Sequence, residues 1–151
     1  MNRSKGFTLV EILIVVIILG ILAAIVIPQF TEASNNARES ALSSDLQTVR
    51  SQLELYKVQH LENYPTAATF VSQLTSRTNQ AGTVMPADGA AADYPYGPYL
   101  QKFPTNPFIA GDTADDVSTG AAAVPGNGST GWYFDTSSGT FSANDADHDD
   151  L

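Results

Sequence analysis

The chain has 151 residues, with 7 Lys and Arg against 16 Asp and Glu, a net charge of −9 and no cysteine. That length supports one domain plus an anchor. The acidic balance repels phosphate and argues against nucleic-acid binding, and the lack of cysteine removes disulfides and thiolate metal sites. The imbalance grows along the chain. No Lys or Arg follows Lys102, whereas Asp112, Asp115, Asp116, Asp135, Asp145, Asp147, Asp149 and Asp150 do.

The first predicted element is the run from Phe7 to Ile27, in which only Thr8 and Glu11 are polar and Gly20 is the only weak helix former. At ~1.5 Å per residue such a helix is about 31 Å long, enough to cross a bilayer core of ~30 Å. Arg3 and Lys5 precede it, which predicts a cytoplasmic N-terminus and a single pass. A secretory signal peptide shares the basic start, but its apolar core is only about 7–15 residues and ends in a small-residue cleavage site. Here the run continues into Pro28, Gln29 and Phe30. A plain anchor leaves Glu11 unexplained, because a carboxylate at mid-membrane costs about 2.5–3.5 kcal/mol, less near the interface. Pro28 cannot donate to the Ala24 carbonyl and Gly20 is a weak point, so a kink is expected in the second half.

The stretch KGFTLVEILIVVIILGILAAIVIP, through Lys5, Gly6, Phe7, Thr8, Leu9, Glu11 and Pro28, resembles the class III signal of type IV pilins and type II secretion pseudopilins. The resemblance implies that residues 1–6 are a leader. A membrane aspartic prepilin peptidase would cut between Gly6 and Phe7 on the cytoplasmic side and methylate the new Phe7 amine. Glu11, one helical turn later, would pair with that amine, in the family's picture on a neighbouring subunit. Like many buried pairs, it would serve register more than stability. In filaments of this family the helix between positions such as Gly20 and Pro28 can melt.

From 28 to 62 the pattern becomes amphipathic. Leu42, Leu46, Val49, Leu53 and Tyr56 recur at steps of four and three and form one stripe. Phe30, Ala33, Ala37 and Ala41 extend it with smaller residues. The stripe is too short and too rich in Ala and Ser for a coiled coil, so packing on the chain's own globular part is expected. One long helix is thus predicted from Phe7 to about Glu62, ended by Pro65.

Residues 63–144 read as a small globular β-region. PTAATFVSQLTSRT is a short helix with Thr66 as candidate cap and Phe70, Val71 and Leu74 facing inward. YPYGPYLQKFPTNPF is a rigid non-helical turn whose aromatics pack on the long helix, and its GPYL and P-x-N-P resemble the entry to the β-region of major pseudopilins and minimal pilins. AGDTADDVSTGAAAVPGNGSTG reads as a loop. GWYFDTSSGTFSAN reads as a hairpin, Trp132–Asp135 with Thr140–Ala143. Residues 145–151 read as a disordered acidic tail. The fold class expected is α+β: a long N-terminal helix packed on a small antiparallel sheet, pilin-like.

Pseudopilins that this chain resembles often close the C-terminal region with calcium, which takes several oxygen ligands. Asp112, Asp115 and Asp116, with Asn106 nearby in sequence, are the candidates, against a plain solvated acidic loop. NDADHDD starts like an EF-hand loop but lacks its later positions, so that motif is rejected. His60 is expected near the helix end facing solvent and His148 in the tail. Without a His–acid pair in a structured segment, and with no phosphate loop, dinucleotide fingerprint or zinc spacing, an enzyme is not expected and no cofactor is required.

The function implied is a structural subunit that polymerises into a type IV-pilus-like filament, with the type II secretion pseudopilus ahead of a surface pilus for adhesion, motility or DNA uptake. Its partners would be copies of itself, the prepilin peptidase/N-methyltransferase, an inner-membrane platform with a cytoplasmic ATPase, and minor pilins. Before assembly it would sit in the bacterial inner membrane with its globular part in the periplasm. A membrane-tethered binding module that never polymerises is the third reading. It predicts no need for Glu11 and a well-formed ligand cleft.

Overall fold

The computed structural model describes residues 6–121 and 125–151. The leader residues Arg3 and Lys5 lie outside them. The chain divides into two units, Met1–Glu39 and Ser40–Leu151.

Helix α1 runs Leu9–Gln59 and contributes to both units. In the first unit it remains helical through Gly20 and Pro28, with every side chain but one in the described stretch exposed. Phe30, Ala33 and Ala37 are therefore uncovered, as is Ala41 at the start of the second unit, contrary to the expected extension of the stripe. From Leu42 onward the stripe is as expected. Leu42, Leu46, Val49, Leu53 and Tyr56 are all buried. They pack with Phe70, Leu74, Phe103, Trp132, Phe134, Phe141 and Ala143 in a single core.

Helix α1 ends three residues before the expected limit. Glu62 N–H reaches back to the Lys57 carbonyl at 2.9 Å, the closing bond of a Schellman motif. That geometry places Leu61 at φ +56° and Glu62 at φ +64°, in the left-handed region where a Cβ is disfavoured. His60 is turned inward, not to solvent. Its ring is 1% exposed, stacks on Tyr56 at 3.7 Å, and bonds the Tyr56 carbonyl through Nδ1 and the Thr78 hydroxyl through Nε2. A carbonyl only accepts, so Nδ1 carries a proton.

A 3₁₀ turn at Ala67–Thr69 leads into α2, Phe70–Thr75. Phe70 and Leu74 face the core as expected and Val71 packs against its edge. Thr66 stands at the N-cap of the turn but caps no backbone N–H; its hydroxyl meets that of Thr69 at 2.7 Å. In the proline-rich segment Tyr99 packs edge-on against Tyr56 at 5.4 Å and donates to Gln59 Oε1 at 2.7 Å, so this segment does lean on α1.

The sheet has three strands in the order β1 (Val117–Gly120), β2 (Trp132–Asp135) and β3 (Phe141–Ala143). The antiparallel β2–β3 hairpin is the one expected, with Phe134 opposite Phe141 and Trp132 opposite Ala143. β1 corrects the expectation of a wholly antiparallel sheet. It lies parallel to β2, Val117 opposite Trp132, in a stretch read as loop. Only Val117 of its residues has a large apolar side chain, and all four are half-buried, so hydropathy carries no alternation to detect. β2 is buried on both faces because it is central. Tyr133 and Ser142, on the face away from Trp132, line a cavity of about 210 Å³ together with Arg50, Asp149 and Leu151.

Two predictions arise here. Leu61→Gly removes a left-handed penalty of ~1–2 kcal/mol and restores ~0.5–1 kcal/mol of chain entropy to the unfolded state. The denaturant midpoint should therefore rise by about 0.5–1 kcal/mol equivalent. A fall would mean that the side chain of Leu61 carries packing that outweighs its backbone strain. At the hairpin turn, the hydroxyl and N–H of Ser137 and the hydroxyl of Ser138 hold the Asp135 carboxyl down at about 2. The folded value lies below the unfolded one of ~3.9, so this stabilisation is present above about pH 4 and is lost as pH falls toward 2. Asp135→Asn should flatten melting temperature against pH in that window, and an unchanged slope would remove Asp135 from the acid transition.

Candidate functional site

The residues singled out above fall in two places, one in each unit. In the first unit Gly6, Phe7 and Thr8 precede the helical ladder, and Phe7 is 78% exposed. Thr8 is the N-cap. Its hydroxyl accepts the Glu11 N–H at 3.3 Å, while Glu11 Oε2 reaches back to the Thr8 N–H and hydroxyl, both at 3.5 Å. This is a capping box with long bonds. Before any cleavage, then, the carboxylate is partly satisfied by its own helix end. Thr8 was significant in the sequence only through the resemblance; the Thr-x-x-Glu spacing is a helix-start signal in its own right.

Gly20 and Pro28 are both inside unbroken α1 in the single chain. Just after the proline, the Thr31 hydroxyl donates to the Ile27 carbonyl at 3.1 Å. This is the helix long and apolar enough to cross a membrane, with mean hydropathy 3.3 over its apolar window and none of that window buried.

The second place is the loop between Asn106 and Asp116. Asp112 and Asp116 are exposed and Asp115 is half-buried. Among the described residues no three Asp, Glu or His side chains gather as a metal-binding group. The loop carbonyls that point inward are already engaged: Thr113 accepts from Gly131 N–H at 2.8 Å, Ala114 from Asn106 N–H at 2.8 Å and Asp116 from Trp132 N–H at 3.1 Å. Asn106 is itself committed. It is 1% exposed, its Oδ1 accepts the Phe108 N–H at 2.8 Å, and its Nδ2 donates to the Gly131 carbonyl and to Asp145 Oδ2, both at 2.9 Å. Calcium needs several free oxygens converging on one point. These four residues, as arranged, do not present that set.

What the loop meets instead is the segment read as a disordered tail. Asp145 is buried, its Oδ1 pairs with His148 Nδ1, and the His148 ring lies 4.0 Å from Phe108 at an interplanar angle of 29°. A His–acid pair therefore does exist in a structured segment, contrary to the expectation, but one carboxylate oxygen serves Asn106 and one imidazole face is covered by Phe108. Asn144, 0% exposed, takes the N–H groups of Gly126 and Asn127 on Oδ1 and donates to Asn127 Oδ1 and Thr130 Oγ1. Asp145 and His148 are three residues apart, but sequence spacing gave no sign of the other partners, which are distant in the chain and adjacent only in the fold.

The second unit also has a cleft of about 480 Å³ lined by Tyr56, His60, Asn63, Tyr64 and Gln73. Its buried His60 and Gln73 are spent internally. Both His60 nitrogens are bonded as described, and the Gln73 amide donates to the Gly82 carbonyl at 2.6 Å and accepts the Thr66 N–H at 2.7 Å.

Comparison with known proteins supplies the family. Residues 1–27 match the prokaryotic N-terminal methylation motif, and residues 29–127 match type II secretion system protein G. Among curated proteins named type II secretion system core protein G, that of Klebsiella pneumoniae is 33% identical over 108 residues, covering 72% of this chain and 71% of the relative. That of Klebsiella michiganensis is 30% identical over 135 residues (83% and 89%), and that of Pseudomonas aeruginosa 31% over 107 residues (71% and 70%). No solved structure matches. With the methylation motif on its apolar helix and the protein G description spanning most of the remainder, the chain belongs to the type II secretion system protein G family, the major pseudopilins.

Proposed function

We propose that this chain is the repeating subunit of a type II secretion pseudopilus, and that it acts by polymerising. The observation that carries this is the first half of α1. It holds an apolar surface with none of its residues buried in the single chain. Such a surface is stable only in lipid or against copies of itself, and polymerisation moves it from the first setting to the second.

In this reading prepilin peptidase/N-methyltransferase cuts between Gly6 and Phe7. Both residues lie before the helix, so cleavage does not break its hydrogen-bond ladder. The cut leaves a methylated Phe7 amine. Glu11 then exchanges its long capping bonds for that positive charge on a neighbouring subunit. A bond with charge on both donor and acceptor is stronger than the long bonds from neutral donors that it replaces, and the exchange fixes axial register between subunits. Gly20 and Pro28 give the helix a segment where local unwinding costs least. Before assembly the chain is a single-pass inner-membrane protein with its N-terminus cytoplasmic and the second unit periplasmic. A platform protein driven by a cytoplasmic ATPase, together with minor pilins, feeds it into the filament. Its role is structural, not catalytic.

Two results are expected. Mass spectrometry of chain recovered from sheared filament fractions should give an N-terminus at methylated Phe7, whereas an intact Met1 end in filaments would refute the processing step. Glu11→Ala should insert in the membrane at wild-type level yet yield few or no filaments, and normal filament numbers from that variant would remove Glu11 from assembly.

A further inference from the structure

The family resemblance leads to calcium as the closure of the C-terminal region, and the donor set does not fit it. The same residues do something else well. Asn106 is the hub. Its backbone N–H holds Ala114, and its side chain holds Phe108, Gly131 and Asp145 at once. Asp145 passes the connection to His148, whose ring lies on Phe108, two residues from Asn106. The result is a closed circuit: Asn106 to Asp145, Asp145 to His148, His148 to Phe108, and Phe108 back to Asn106. With the bond from Asn106 to Gly131 it joins three parts of the chain, the loop before residue 116, the residue just before β2, and the turn after β3.

The Asn106–Asp145 link lies in a dry place, while His148 and Phe108 are half-buried at its edge. The amide of Asn106 and the carboxylate of Asp145 are both buried, so their bonds are exchanged poorly for bonds to water. An amide donating to a carboxylate is charge-assisted. The Asn106 amide oxygen, the Asp145 carboxylate and the carbonyls of Thr113, Ala114 and Asp116 are already engaged. A cation that displaced the Asn106–Asp145 bond, or the Gly131, Asn106 or Trp132 N–H from its carbonyl, would cost about 1–3 kcal/mol for each buried donor left unpaired.

We propose that the Asn106–Asp145–His148–Phe108 circuit is a metal-independent clasp that closes the C-terminal region of this chain, so that the fold neither requires nor is stabilised by a divalent cation. The clasp goes beyond the assembly reading and does not depend on it, since it concerns the folding of one subunit. Asp145 and His148 also lie past residue 127, where the protein G match ends.

The test is thermal unfolding of the full chain in alkyl maltoside micelles, followed by near-ultraviolet circular dichroism at Trp132. Wild-type chain is measured in EDTA and in millimolar calcium chloride. The two melting temperatures should agree within about a degree, while His148→Ala and Asp145→Ala in EDTA should each melt about 4–8 °C lower or more. Asp147→Asn, an exposed acid outside the circuit, should melt with wild type. A rise of several degrees with calcium overturns the proposal, because the fold then gains from the cation. Variants that melt with wild type overturn it equally, because the circuit then closes nothing. His148→Ala leaves the Asn106–Asp145 bond in place and is the milder change, so the comparison remains readable if Asp145→Ala does not fold.

Discussion

The core of the second unit is built on one face of one helix. Leu42, Leu46, Val49, Leu53 and Tyr56 supply a continuous apolar stripe, and the aromatic residues of α2, the proline-rich segment and the β2–β3 hairpin converge on it. Three short strands and a six-residue helix cannot bury enough surface among themselves to offset the entropy of ordering them. Cutting the stripe away from the strands would therefore leave neither part folded. The same constraint explains the length of α1. Its second half must serve the core while its first half, with no buried side chain in its apolar window, answers to a different surrounding. A backbone helix is the one element that satisfies its own hydrogen bonds in both.

Loop closure is the second requirement, and here polar side chains take it over. Gln73, Asn106 and Asn144 are each buried, and each ties a loop to a distant backbone group, while buried His60 holds the Thr78 hydroxyl. Among the described residues no buried side-chain nitrogen or oxygen lacks a partner. That matters because a buried polar hub stabilises only when every member is satisfied, and costs more than an apolar residue when one is not. Asn106 and Asn144 meet at the same carbonyl, that of Gly131, which receives the Asn106 amide and the Asn144 N–H. Gly131 is also where a Cβ would collide with the backbone of Ala114. The three residues form the joint between the hairpin and the loop that precedes it.

Charge is arranged to suit this design. Asp135 is paid for locally, by the serines of its own turn. Arg50 on α1 donates to the Phe141 carbonyl at 2.9 Å and to the Leu151 carbonyl oxygen at 2.5 Å, so one of the few cations of the chain is placed where the acidic end comes back to the helix. Of the remaining acids, all but the buried Asp145 are exposed or half-buried, in keeping with a subunit whose surface stays soluble while its apolar helix is sequestered.

The amino-acid order alone determined the features that depend on period and on local chemistry. The apolar run, the Leu42–Tyr56 stripe, the inward Phe70 and Leu74 and the β2–β3 hairpin were all legible, because a helix repeats every 3.6 residues and a hairpin alternates around its turn. The family signature at Gly6, Phe7 and Glu11 was equally legible, being fixed residues at fixed spacing. Only the tertiary structure decided the rest. β1 pairs parallel to a strand across an intervening connection, and nothing in VSTG announces it. His60 turns inward because Tyr56 and Thr78 offer it partners from two elements. The turn after β3 is ordered because Asn106, 39 residues earlier than Asp145, reaches its carboxylate. These contacts are non-local, and hydropathy and spacing report only on neighbours along the chain.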